Sequence, residues 1–251
     1  MTDRSEQQGG EYLYAIAQAE GAADFGPIGL EGAVVRRLIH DDLAALISTT
    51  SRGRVRPERR NLSAHNAVLK RAMEESTVLP VAFGIIAADE AALHEALSTN
   101  RADLRAQLLR VQDKVEMGLR LVWDVANLFE YFVNTHSELR VARDTLADPR
   151  SARRDEMIEL GRLFERVLTE ERDRHYERVA EVLERHGIEL VRNPPRSERE
   201  VLNLACLITR DSQDDFERIL TDAATGFDSS YTFDFNGPWA PHHFVSLNLK
   251  L

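Results

Sequence analysis

The rhythm of apolar and polar positions changes several times along this chain, and each change predicts an element. Residues 114–122 alternate strictly, with Val115, Met117, Leu119 and Leu121 set against Lys114, Glu116, Gly118 and Arg120. A period of two is that of a strand with one buried face. Residues 62–73 run in threes and fours through Leu62, His65, Val68, Leu69, Ala72 and Met73, which predicts an amphipathic helix, with Ser63 as its N-cap. Ahead of it, Tyr12, Leu13, Tyr14 and Ile16 predict a strand over residues 11–18, followed by a loop rich in glycine (Gly21, Gly26, Gly29, Gly32). Two apolar runs, 33–39 and 43–47, flank His40-Asp41-Asp42 and suggest a hairpin, although the second run alone also fits a helix. Residues 78–86 read as a buried strand that Pro80 confines to an edge or a late start. Two helices with Ala and Leu faces follow at 89–97 and 103–111.

The second half opens on the alternating strand and continues with a short helix within 124–133. A long helix is predicted over 151–186, with Met157, Leu160, Phe164, Val167, Leu168, Tyr176, Val179 and Leu183 as its stripe and Gly187 as its stop. A brief strand at 188–191, a turn at Pro194-Pro195 and a nearly continuous apolar run at 201–209 come next, the last read as a central strand. Asp211 is a candidate cap for a helix carrying Phe216, Ile219 and Leu220, with Asp214 in its first turn and Gly226 at its end. Tyr231, Phe233 and Phe235 alternate with polar neighbours in a final strand.

The order strand, helix, strand, strand, helix, strand is that of a ferredoxin-like βαββαβ domain. The expected fold class is therefore α+β in two domains. A polar tail spans residues 1–10, an N-terminal α/β domain 11–112, and a C-terminal ferredoxin-like domain with its long helix and tail 113–251. Helices on one face would leave the other face of that sheet exposed or docked.

Charge narrows the partners. The 251 residues hold 42 acidic and 32 basic side chains, a net charge of −10. A broad nucleic-acid or anionic-membrane surface needs the opposite sign. The single cysteine, Cys206, fits a reducing cytosol. The polar start is unlike a signal peptide, and no apolar run is long enough to span a membrane. A cytoplasmic protein is expected.

Candidate chemistry is sparse. There is no GxGxxG, P-loop or HExxH. Cys206 sits inside an apolar run and reads as core. Asp41-Asp42 and Asp214-Asp215 have adequate explanations in a turn and a helix start, and the adjacent His242-His243 has no supporting ligand spacing. No catalytic residue, metal or cofactor is expected. The exposed charge run at 52–60, with Arg52, Arg54, Arg56, Arg59 and Arg60, is either a solvated loop or an anion or acidic-partner contact; Arg52, Arg54 and Arg56 are the candidate contact residues.

Several blocks resemble the gas vesicle F/L protein family. They are Tyr12-Leu13-Tyr14-Ala15-Ile16, the stretch from His65 to Lys70 followed by Thr77-Val78-Leu79-Pro80-Val81-Ala82-Phe83-Gly84, then Lys114-Val115-Glu116-Met117-Gly118-Leu119 with Trp123-Asp124, and finally Tyr231 to Val245 around Gly237-Pro238-Trp239. They keep the family's order across nearly the whole chain. Ala82, Ile85 and Ala240 depart from its usual arginine, threonine and proline. The resemblance implies a two-domain protein with a ferredoxin-like C-terminal domain and no enzymatic activity. It further implies an accessory or assembly role in gas vesicle formation, through contact with the small hydrophobic shell protein and other vesicle proteins. F-type and L-type roles are not separable at this level. The competing reading is a ferredoxin-like small-molecule-binding regulator or enzyme, which needs a pocket with convergent polar groups.

The C-terminal segment has two readings of its own. Trp239 and Phe244 are either anchors of a partner contact or, with Val245 and Leu247, a clasp that folds back between the domains after Gly237-Pro238 breaks the last strand. The clasp is the favoured reading.

Overall fold

The computed structural model describes residues 9–22, 24–146 and 154–249. The expected tail at 1–10 lies outside the described residues up to residue 8, and Gly10 already opens the first strand. The chain divides into two compact units. One takes in the chain up to Glu116 and again from Pro238; the other is Met117–Gly237.

The first unit is built on β1 (Gly10–Gln18), buried from Glu11 through Ala17. Strands β2 (Asp24–Gly26), β3 (Val35–His40) and β4 (Leu43–Thr50) lie to one side, in the order β2-β3-β4-β1. On the other side β1 pairs with β5 (Val78–Pro80) and with β6 (Ile86–Ala87). The hairpin reading of residues 33–47 holds. His40 faces Leu43 across a two-residue connection in which Asp41 takes a φ of 53°, a conformation that Asp tolerates better than most residues. Pro80 ends an edge strand, where its missing N–H costs no ladder bond.

Helix α1 (Arg59–Glu75) buries His65, Val68, Leu69, Ala72 and Met73. Its N-cap is Glu58, five residues before Ser63, so Ser63 is an interior helical residue and Leu62 is exposed. Helices α2 (Glu90–Thr99) and α3 (Arg101–Arg110) complete the unit, with Asp89 capping α2 through Ala92 N at 2.9 Å.

Aromatic groups from β1 and α1 meet at the centre. The Tyr12 hydroxyl lies 3.0 Å from His65 Nδ1 and accepts from Gly84 N at 2.9 Å. The Tyr14 hydroxyl meets Ser48 Oγ at 2.8 Å and accepts from Leu30 N at 2.9 Å. His65 is 3% exposed. Burial pushes its imidazole down to about 4, with the neighbouring His242 pressing the same way. A neutral ring can accept the Tyr12 hydroxyl proton at Nδ1.

The second unit carries β7 (Lys114–Trp123), α4 (Leu128–Thr135), α5 (Ser137–Thr145), α6 (Arg154–Arg185), β8 (Glu189–Arg192), β9 (Glu200–Thr209), α7 (Gln213–Ala224) and β10 (Tyr231–Trp239), the end strands running on into the first unit. Its sheet has the order β10-β7-β9-β8. Counted within the unit, that is 4-1-3-2, the ferredoxin-like arrangement expected from the element order. β9 is central as expected and is buried on both alternations, so neither of its faces is open. Cys206 is buried within it.

Helix α6 ends where the sequence places the stop. Gly187 has a φ of 74°, Gly187 N donates to Glu184 O at 2.9 Å, and Ile188 N donates to Leu183 O at 3.3 Å. That pair of bonds satisfies carbonyls the helix leaves open. The first three residues of the expected 151–186 helix lie outside the described residues.

Other expectations change. α5 was not anticipated. Asp211 does not cap α7, because a 3-10 turn at Arg210–Ser212 intervenes and Ser212 takes the cap position. Gly237-Pro238 does not break the last strand, since β10 continues to Trp239. The stretch from Pro238 groups with the first unit instead of closing the expected 113–251 domain. Arg110 Nη1 donates to Phe244 O at 2.9 Å, and the Gln107 side-chain amide exchanges two hydrogen bonds with the Ser246 backbone, at 2.7 and 2.8 Å.

Candidate interaction surface

The C-terminal segment makes one wall of a cleft of about 340 Å³ whose lining belongs entirely to the first unit. The opposite wall is a single face of α1. Asn66, Leu69, Lys70 and Met73 stand at helical spacings of three and four and so project together. Pro238, Trp239 and Ala240 face them, and Glu116, from the start of β7, reaches the same space.

A one-turn helix at His242–Phe244 sets the tail's side chains. Phe244 is 2% exposed and packs inside the unit. It therefore does not present its ring to a partner, which removes it from the candidate contacts and puts it in the core. Trp239, by contrast, is 45% exposed at the mouth of the cleft. The sequence grouped these two aromatics; burial separates them.

Glu116 is the unexpected member. Strict alternation put it on the polar side of its strand, yet it is 6% exposed. Its carboxylate accepts from His243 N at 2.9 Å and meets His243 Nδ1 at 2.7 Å. Their pairing carried no signal in the sequence, because 127 positions separate them. Among the described residues no group of three or more His, Cys, Asp or Glu side chains is placed to hold a metal ion.

The arginine run lies elsewhere in the unit. Arg52 pairs with Glu31 and lines a separate cleft of about 200 Å³ with Leu30, Thr50, Val55 and Asn61. Arg54 and Arg56 are exposed. The loop is anchored by buried Val55 and by Asn61, whose Nδ2 donates to Arg56 O at 2.9 Å. Arg59 and Arg60 occupy the first turn of α1, where the helix dipole disfavours cations; Glu58 offsets this by pairing with Arg60 at 2.9 Å.

The second unit holds a buried polar network. Glu171 meets His136 Nε2 at 2.8 Å and His175 Nε2 at 3.4 Å, and His175 Nε2 lies 2.9 Å from the Tyr231 hydroxyl. None of these residues lines a cleft of about 310 Å³ formed by Glu165, Leu168, Arg172 and residues 195–198. The groups satisfy one another across α4, α6 and β10. This is how a structural network behaves. No described helix is long and apolar enough to cross a membrane.

Comparison with known proteins places these observations. The family model described as gas vesicle synthesis protein GvpL/GvpF matches residues 10–246. Gas vesicle protein F of Nostoc sp. is 24% identical over 242 residues, spanning 95% of this chain and 99% of that one. Gas vesicle protein F of a Streptomyces species is 27% identical over 237 residues, spanning 93% and 98%. The crystal structure of GvpF from Anabaena sp. superposes with a TM-score of 0.82 at 24% identity, covering 96% of this chain and 99% of that one. That of GvpF from Microcystis aeruginosa gives 0.78 at 20% identity, with 95% and 99% covered.

Proposed function

The chain belongs to the GvpL/GvpF family of gas vesicle synthesis proteins, and from that premise we propose that it is a cytoplasmic accessory protein that binds the small hydrophobic shell protein during vesicle assembly. Its role is gas vesicle-related; the mode of action offered here is protein contact, without catalysis. The observation that supports it is the half-exposed Trp239 above a cleft walled by Leu69 and Met73, on a chain of net charge −10. Aromatic anchors beside apolar pockets are the usual energetic centres of protein interfaces. A shell subunit with a water-repelling face aggregates unless something covers it, and an acidic partner that covers the face keeps the complex dispersed.

The exposed arginines are the second proposed contact. Arg54 and Arg56 sit beside a helix start that already carries Arg59 and Arg60, an arrangement that costs local stability and is explained by an acidic partner segment. Co-expression tests both contacts. With the wild-type protein the shell protein stays in the soluble fraction; Trp239→Ala lowers that fraction, and the triple change Arg52→Glu, Arg54→Glu, Arg56→Glu lowers vesicle yield. Unchanged shell-protein solubility with and without the wild-type chain refutes the accessory reading.

A further inference from the structure

We propose that the cleft between α1 and the Pro238–Ala240 wall is a receptor for one basic side chain, arginine or lysine, carried on an extended segment of a protein partner. The inference deepens the accessory-protein reading and rests on it only in supposing that the ligand is part of a protein.

The argument starts from Glu116. A carboxylate removed from water is costly unless its charge is compensated. Here both hydrogen bonds come from His243, through the backbone N at 2.9 Å and Nδ1 at 2.7 Å. A carboxylate accepts about four hydrogen bonds, so about two positions remain. The His243 ring and its backbone amide hold the carboxylate in a fixed orientation. The cleft therefore presents an oriented, poorly solvated anion.

The remaining lining fits the rest of a basic side chain. Arginine and lysine carry an apolar stem of three or four methylenes below a charged head. Leu69, Met73 and Pro238 supply apolar walls for a stem, and Glu116 supplies the counter-charge for a head. Trp239, open to solvent over nearly half its surface, offers an aromatic face on which a guanidinium stacks. The chain's net charge of −10 draws a basic segment toward the surface over longer range. Lys70, also in the lining, is exposed at the rim on a flexible stem, which makes it a ready control.

The test uses the full chain and short blocked peptides: acetyl-Ala-Arg-Ala-amide, the same peptide with uncharged citrulline in place of arginine, and a glutamate version. Binding is read by NMR from the indole N–H of Trp239, assigned with Trp239→Phe. The arginine peptide shifts that resonance saturably, and the citrulline and glutamate peptides bind at least about tenfold more weakly. Glu116→Gln weakens arginine binding by about tenfold, while Lys70→Glu strengthens it by a few-fold. Equal binding of arginine and citrulline, tighter binding of glutamate, or weaker arginine binding in Lys70→Glu each overturns the proposal. The Lys70 result decides the matter if Glu116→Gln does not fold, because Lys70 lies on the surface. Shell protein that is still captured when no arginine peptide binds overturns the cleft proposal and leaves the accessory-protein reading intact. Peptide binding without shell capture does the reverse.

Discussion

Protonation of His65 is the sharpest stability test the structure offers. The ring is 3% exposed beneath Tyr12 and Tyr14, and burial holds its pKa near 4 against an ordinary value of 6.5. The native state thus resists a proton that the unfolded chain accepts. Linkage then fixes the sign: with the folded pKa below the unfolded one, the contribution is intact above pH 6.5 and is lost as pH falls from 6.5 to 4. A separation from 6.5 to about 4 corresponds to about 3 kcal/mol at the acid limit, of which about 2 kcal/mol is gone by pH 5. Carboxylates also titrate in this range, so the wild-type curve alone proves nothing. His65→Asn removes the titration while its amide oxygen can still accept from Tyr12. Urea unfolding followed by circular dichroism at pH 7.5, 6.5, 5.5 and 5.0 gives both stabilities. The wild-type advantage over His65→Asn shrinks by about 2 kcal/mol across the series. Parallel curves, with the gap constant to about 0.5 kcal/mol, refute the reasoning, since the ring would then bear its proton equally well in both states.

Two further changes probe the ends of elements. Phe244→Ala, which empties a site only 2% exposed, costs about 4 kcal/mol in urea unfolding, and a loss under about 1 kcal/mol contradicts the assignment of this ring to the core. Gly187→Ala costs about 1 kcal/mol from backbone strain at a φ of 74°, because a Cβ there meets nothing within 4 Å; no change in thermal midpoint would argue against the left-handed stop of α6.

Periodic elements were legible and pairwise ones were not. The alternation at Val115, Met117, Leu119 and Leu121 and the stop at Gly187 follow from local geometry, so the ferredoxin-like order could be read directly. α5 escaped because Leu139 is its one buried residue, too little for a stripe. β10 ran past Gly237-Pro238 because it is an edge strand, where a proline can sit with no ladder bond to donate. Asp211 and Ser63 are plausible caps by residue type, but cap position depends on where the backbone leaves the preceding segment, which tertiary packing decides. At the candidate surface the sequence found Trp239 and the arginines, whose chemistry is conspicuous. It missed Glu116, since a charged residue in a strict alternation reads as solvent-facing until His243 is brought to it from the far end of the chain. It also joined Phe244 to Trp239, because residue type alone does not separate a buried ring from a half-exposed one.

The division of the chain at Glu116 and Pro238 carries a consequence for synthesis. The first unit is interrupted: Met117–Gly237 is made in full before the segment bearing Phe244 leaves the ribosome. The inserted unit is a continuous stretch that can fold while translation proceeds, whereas the interrupted one must wait for its last piece. A nascent chain therefore carries α1 for some time before it has a finished cleft. Fragments cut after residue 116 lack Trp239, His243 and Phe244, and a permuted chain in which 238–249 precedes 9–116 would make the interrupted unit continuous.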